Sequence, residues 1–306
     1  MRHKLRAQTD AEILLDTVSN ASYAIESEQC YFVDDSKDFS GNGRSWETAF
    51  VTIAEAIAAC DNDYSDNADF RVFIAPGDYE EDDLLFAGHG LHLIGLGNPG
   101  MDSGVHIKGA AEAAYCVLGI AGANCTVKNI ALEAAGAEPC LYLPAADNCV
   151  FDNIVLKGVS ATTEYAIEMD DTRGTKFKNL QFGAGGAGFK TALIYAEGGA
   201  DQYMIHSTIE NCNMWSTNTG VKGLLIDVDC VTYANVVKNN AINLVGAGST
   251  AIGIDNNSTG NNLFVGNYVV VDTSAVPIES ASTITGILGN HTMAGSTVVD
   301  PNTVAT

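Results

Sequence analysis

The sequence predicts an all-β protein wound into stacked coils, and three observations predict it. Blocks of the form apolar, spacer, Asn, apolar recur: VKNIAL, FDNIVL and FKNLQF are centred on Asn129, Asn153 and Asn179, with looser copies at Asn211, Asn239, Asn267 and Asn290. The successive steps are 24, 26, 32, 28, 28 and 23 residues, a period suited to a solenoid. Ahead of the blocks stand segments that alternate apolar residues, such as Leu141/Leu143, Ile167/Met169, Leu193/Tyr195, Leu224/Ile226 and Ile252/Ile254. Period two means strands with one buried face.

Residues 1–29 read as an arm. Arg2, Lys4 and Arg6 make a basic tip, and a Thr9/Asp10 cap precedes the apolar positions Ile13, Leu14 and Val18. Residues 30–295 hold the coils. Near their start, Thr52 and Glu55 form a TxxE capping box, and Ile53, Ala56, Ile57 and Cys60 give an apolar face. A short helix within 45–60 is therefore expected to lie over the open end of the first coil, where unpaired strand edges would otherwise invite association. In each repeat the asparagine sits between two strand stubs. It tolerates a left-handed backbone better than other non-glycine residues, so it turns the chain within one residue, and stacked amides can hydrogen-bond along the ladder. The tail, 296–306, shows no comparable cap, and a partner or a second subunit is expected to cover that end.

Composition narrows the function. The chain of 306 residues has a net charge of −23, and residues 7–306 alone carry 12 Lys and Arg against 38 Asp and Glu. Such a body repels nucleic acid and anionic lipid, and no apolar run approaches the ~18 residues of a membrane span. No signal peptide is read at the start, where Gln8, Asp10 and Glu12 interrupt any apolar run. The eight cysteines form no CxxC and no Cys/His cluster. Cys116/Cys140 and Cys125/Cys149 are each 24 apart, so each pair is expected to share a site on consecutive coils, as free thiols.

The stretches YFVDDSKDFSGNGRSWETAFVTIAEAIAAC (31–60), FRVFIAPGDYEED (70–82) and LHLIGLGNPG (91–100), followed by the asparagine corners, resemble the right-handed parallel β-helix of the pectate-lyase-like superfamily. The resemblance covers about residues 30–295 and implies three strands per coil with an Asn corner ladder between the second and third. It implies no single activity, because the fold hosts lyases, hydrolases, epimerases, adhesins and viral spikes.

Enzymes of that superfamily usually place carboxylates on the outer face of the first strand, often with Ca²⁺ or an arginine base. Aligned on the buried pairs above, the outward column of this chain reads Gly119, Tyr142, Glu168, Ile194, Leu225 and Gly253. The strand-end column reads Ala121, Pro144, Asp170, Ala196, Asp227 and Asp255. Asp227 and Asp255 would then lie on adjacent coils, ~4.8 Å apart, near the separation of a retaining glycosidase pair. Glu168, Asp170, Asp171 and Arg173 form a second cluster, with Arg173 as the base of a lyase-type reaction or as part of a salt-bridged turn. GHG (88–90) and DD (170–171) resemble polygalacturonase motifs in reversed order, without the RxK that should follow. His206 and His291 stand alone. Ser36, Asp38, Ser40 and Glu47 loosely imitate a calcium loop but read as turns, so no cofactor or metal is expected, Ca²⁺ being the one ion considered.

An acidic β-helix behind a short basic arm resembles virion proteins of tailed bacteriophages. That resemblance implies a non-catalytic surface protein made in the host cytoplasm and placed on the virion exterior: a capsid decoration protein or short tailspike module. It would be a homotrimer, anchored to other virion proteins through Arg2, Lys4 and Arg6 and free to contact host glycan. The alternative is a polysaccharide lyase or glycoside hydrolase using Asp227/Asp255 or the Glu168–Arg173 cluster. Neither reading involves nucleic acid or membrane.

Overall fold

The computed structural model describes residues 30–299 apart from 63–68, 101–102, 110–114, 160–161, 184–187, 200–201, 228, 255–261, 273–277, 281–285 and 295–296. Parallel strands stack coil upon coil in three sheets. One sheet of eight strands runs from Leu84–Phe86 through Leu118–Ile120, Leu141–Leu143, Tyr165–Met169, Ala192–Ala196, Lys222–Ile226 and Thr250–Ile254 to Ile278–Ser280. A sheet of four short strands holds Asp171–Arg173 and Tyr203–Ile205, and a large sheet carries the strands on both sides of the Asn corner. Middle coils thus have a fourth short segment beyond the three expected. The expected arm, with Arg2, Lys4 and Arg6, lies outside the described residues, as does Asp255. No described helix is long and apolar enough to cross a membrane.

The coils turn because single residues adopt a left-handed backbone. Asn129, Asn153, Asn179, Asn211 and Asn239 have φ of 55–57°, where the short amide side chain tolerates what a bulkier residue does not. Asn153 donates to Asn129 Oδ1 at 2.9 Å, but Asn179 donates to Asp152 Oδ1 at 2.7 Å, so the amide ladder breaks after two rungs. Asn267 and Asn290 are not in this column. Val237 pairs with Phe264 and Val265 with Leu288, which aligns Asn239 with Gly266 and Gly289. Both glycines have positive φ (65° and 61°) and make the turn that Asn makes elsewhere. Asn267 and Asn290 instead follow Asn240 in the next column, which points inward and begins with Ile130, Ile154, Leu180 and Cys212. There each amide serves two neighbouring coils: Asn267 Oδ1 accepts from Asn240 N and Nδ2 at 3.0 Å each, and Asn267 Nδ2 donates to Val237 O at 3.0 Å. A second one-residue corner runs through Asn124, Asn148, Gly174, His206 and Ala234, all with φ of 52–62°, which gives His206 a backbone role.

Elsewhere in the interior apolar side chains predominate: Val127, Phe151 and Phe177 stack on consecutive rungs, with the two phenylalanine rings 5.3 Å apart and 12° from parallel. All eight cysteines are buried and free. Cys125 and Cys149 are rung neighbours, since Thr126 pairs with Val150. Cys116 and Cys140 are not, because Leu118 pairs with Leu141 and sets Cys140 opposite Val117.

The cap is α1, Ile53–Asn62, which starts later than the 45–60 expected and runs past its end. Ile53, Ala56, Ile57 and Cys60 are buried against the first coils. Thr52 Oγ1 accepts from Glu55 N and Glu55 Oε2 accepts from Thr52 N, both at 3.2 Å, which closes the capping box. Glu81 adds what the local sequence does not show: its carboxylate accepts from Ile53 N and Ala54 N at 2.7 and 2.8 Å, an anion on the positive end of the helix. The turns at 34–47 are held within the protein, with Ser36 Oγ donating to Asp34 and Ser40 Oγ to Glu55, each at 2.6 Å. At the far end the expected tail contains a strand, Thr297–Val299, which pairs antiparallel with His291–Ala294 and occupies part of the last edge.

Candidate carboxylate site

Parallel in-register stacking puts equivalent residues ~4.8 Å apart on successive coils, so like charges in one column repel and opposite charges attract. Two columns obey this by alternating sign. One reads Glu80, Lys108, Glu133, Lys157 and the other Lys128, Asp152, Lys178, Glu210, Lys238. Ion pairs close within them, such as Lys178–Asp152 at 3.5 Å and Lys238–Glu210 at 2.8 Å.

The outer face of the eight-stranded sheet breaks the rule. Its outward column is Leu85, Gly119, Tyr142, Glu168, Tyr195, Leu225, Gly253. Tyr195 stands where Ile194 was expected, because Ile194 and Ala196 are the buried pair of that strand. A one-residue slip exchanges the faces, and it changes the strand-end column too: Glu197, not Ala196, follows Asp170 and precedes Asp227. Three acidic residues therefore lie on consecutive coils, with Glu168 beside them. One carboxylate oxygen each from Glu168, Asp170 and Glu197 lie within 4.8 Å of one another, and all three side chains are half-buried. Among the described residues these three make no ion pair.

Tyrosines fix the arrangement. Tyr142 Oη donates to Asp170 Oδ2 and Tyr195 Oη to Asp227 Oδ2, both at 2.6 Å. The ring of Tyr195 stacks on that of Tyr165, 4.2 Å between centroids and 11° from parallel. Burial, then the charges of Asp170 and Glu197, push the Glu168 carboxyl up to about 7. Glu197 is also raised, first by its contact with Asp170 and then by burial. Asp170 Oδ1 is buried without a donor, and a proton carried by Glu197 would supply one. Both tyrosine hydroxyls are held strongly protonated by burial and by the aspartates they bond.

Of the residues expected to act, the structure brings Glu168, Asp170 and Asp227 to one face. It separates Arg173 from them: its strand belongs to the four-stranded sheet, its guanidinium pairs with Asp171 at 3.0 Å and lies over the Tyr203 ring at 4.6 Å. The pairing of Asp227 with Asp255 falls outside the described residues. Three oxygen donors this close are chemically suited to a hard divalent cation such as Ca²⁺, which Glu168, Asp170 and Glu197 would hold. Without a cation, Glu168 and Glu197 hold protons more tightly than ordinary carboxylates do.

No protein-family model matches the chain, and no curated protein matches it. Solved structures do match in shape. Pectin methylesterase PemA from Erwinia chrysanthemi is 14% identical with a TM-score of 0.53, over 90% of this chain and 92% of that one. Pectate lyase Pel9A is 12% identical with a TM-score of 0.53, over 89% of this chain and 69% of that one. The tailspike protein 2 enzymatically active domain of bacteriophage CBA120 is 9% identical with a TM-score of 0.45, over 84% of this chain and 43% of that one. Identities this low speak to fold and leave function to the site itself. The chain has the fold of the pectate-lyase-like proteins, a right-handed parallel β-helix.

Proposed function

We infer that the protein acts on a glycan by general acid–base hydrolysis at the outer face of the eight-stranded sheet. The observation that carries this reading is the like-charged column Asp170, Glu197, Asp227 beside Glu168, in a stack where two other columns alternate charge. Repulsion of this kind costs stability and is retained where it sets proton affinities. Glu168, with its carboxyl pushed up to about 7, donates a proton to the oxygen of the scissile glycosidic bond as that bond breaks. Asp227, fixed by Tyr195, accepts a proton from the water that attacks the anomeric carbon. Asp227 lies two coils on from Glu168 (~9.6 Å) and two positions further along its strand (~6.6 Å), a backbone separation of ~12 Å that the long Glu168 side chain must shorten to reach the ~6.5–9.5 Å of an inverting pair. Asp170 and Glu197 are positioning residues that keep the proton on Glu168. A lyase reaction at a uronate fits less well, since it needs a positive group against the substrate carboxylate and Arg173 faces Asp171 instead.

This reading takes the catalytic alternative over the non-catalytic one. Residence on a virion exterior, trimerisation and attachment through the basic arm remain separate proposals, supported by the contrast between the basic first six residues and the acidic remainder. Electron microscopy of particles and light scattering of the chain test them. The catalytic reading is tested by release of reducing ends from a panel of glycans: Glu168→Gln and Asp227→Asn are each expected to lower the rate at least a hundredfold with circular dichroism unchanged. Full activity in both variants would sink it.

A further inference from the structure

Immediately N-terminal to the carboxylates, on the same outer face, lies a cavity of about 540 Å³ lined by Asp83, Leu85, Tyr115, Cys116, Tyr142 and Pro144. It occupies the same two columns as the carboxylates: Tyr142 precedes Glu168 and Pro144 precedes Asp170 on the neighbouring coil. Gly119 lies in the outward column between Leu85 and Tyr142, and a Cβ there would come within 2.7 Å of Leu85 Cδ1 and 3.2 Å of Cys116 Sγ. The missing side chain keeps the space open. Tyr115 is 73% and Leu85 50% exposed, large apolar surfaces for outward positions in an acidic protein.

The cavity is built, and its polarity is one-sided. Asp83, itself in a left-handed conformation, uses Oδ1 to accept from Tyr115 N at 2.8 Å and Cys116 N at 3.2 Å. That carboxylate holds the backbone that presents the Tyr115 ring. Burial and neighbouring carboxylates push the Cys116 thiol up to about 12, so it contributes an uncharged floor. Tyr142 spends its hydroxyl on Asp170. Among the described residues that line the cavity there is no Lys, Arg or His.

We propose that this cavity is a subsite for an uncharged sugar residue bearing an apolar substituent, such as an ester methyl or acetyl, and that it selects neutral or esterified glycans over polyuronates. The inference rests on the glycan reading above and adds the substrate class. An apolar wall of Leu85, Tyr115 and Pro144 suits the C–H face of a sugar ring and a methyl group. Charge decides against a free uronate. A carboxylate placed ~6 Å from one ionised carboxylate of the site loses about a hundredfold in affinity at an effective dielectric constant of ~20. Specificity then comes from exclusion as much as from attraction.

The test uses the full chain carrying Glu168→Gln, which slows turnover, and one uronan in three forms: free acid, methyl ester and carboxyl-reduced. By calorimetry at low salt, the ester and the reduced polymer are expected to bind at least tenfold more tightly than the acid, with the gap narrowing in 1 M salt. Adding Tyr115→Ala or Leu85→Ala, both at exposed positions, is expected to weaken ester binding by about tenfold. Equal binding of the free acid without added cation, or tightest binding of a deacetylated, positively charged amino-sugar polymer, overturns the proposed selectivity while the glycan reading stands. Ester binding indifferent to both wall substitutions overturns the subsite. If no glycan is bound and none is cleaved by the unmodified chain, the glycan reading itself falls.

Discussion

Replacing Glu168 with glutamine is expected to stabilise the protein at neutral pH while silencing the site. The carboxyl moves from its ordinary 4.5 to about 7 on folding, through burial and the charges of Asp170 and Glu197. At ~1.4 kcal/mol per tenfold, and discounted for the solvent that a half-buried group still sees, this is about 2–3 kcal/mol. The sign follows from proton linkage. Between pH ~4.5 and ~7 the folded protein holds a proton that the unfolded chain has released, so stability falls as pH rises through that window and the full penalty is present above it.

Glutamine does not titrate. The variant should therefore match the parent at pH 4 and exceed it at pH 8 by about 2–3 kcal/mol, seen in urea denaturation at both pH values or as a rise of about 3–5 °C in melting temperature at pH 8. Ordinary half-buried glutamates lose stability or change little on such a substitution. A gap of equal size at pH 4 and pH 8, or a variant less stable than the parent at pH 8, would refute the account of the cluster.

Three further outcomes are expected. Asn267→Ala removes the acceptor of Asn240 N and Nδ2 and the donor to Val237 O, leaving buried polar groups without partners, and should cost about 2–4 kcal/mol by chemical denaturation. Ala234, exposed at φ 56°, sits where a Cβ is strained, so Ala234→Gly should gain roughly 0.5–1 kcal/mol in the same assay; a loss would show that the corner is not strained. Glu81→Ala uncovers Ile53 N and Ala54 N at the start of α1 and should cost about 1–2 kcal/mol, with hydrogen exchange rising first in the first turn of the helix.

The legible parts of the sequence were those that geometry writes locally. A corner of one residue demands a left-handed backbone, and Asn129, Asn153 and Asn179 announce it with a flanking apolar pattern. The capping box of Thr52 and Glu55 is equally local. The pattern is ambiguous where two registers satisfy it equally. In ALIYA all five residues are apolar or aromatic, so Leu193/Tyr195 and Ile194/Ala196 both look like an inward pair; only packing shows that Ile194 and Ala196 are buried. The doublet Asn239–Asn240 hides a similar choice, although Gly266 and Gly289 before the later asparagines carried the signal that glycine had taken over the turn. Glu81 on α1 is a contact between residues 28 apart, which no window on the helix reveals.

The slip in ALIYA mattered more than its single residue suggests. Reading Ala196 outward placed an uncharged side chain between Asp170 and Asp227 and made them look like separate strand-end aspartates. With Glu197 in that place the face carries carboxylates on three consecutive coils and Glu168 next to them. The contrast with the two alternating columns then becomes an argument about cause. The same stacking that makes Lys178 and Lys238 pair with Asp152 and Glu210 would have rewarded a lysine at position 197. An acid there raises Glu168, orders a proton with Asp170 and opposes the fold, which is the balance expected of a site kept for chemistry. Glu197→Lys is the substitution that separates the two demands. It should raise stability above pH 7, draw the Glu168 carboxyl back toward its ordinary range and shift the alkaline limit of any glycan cleavage downward as the rate falls.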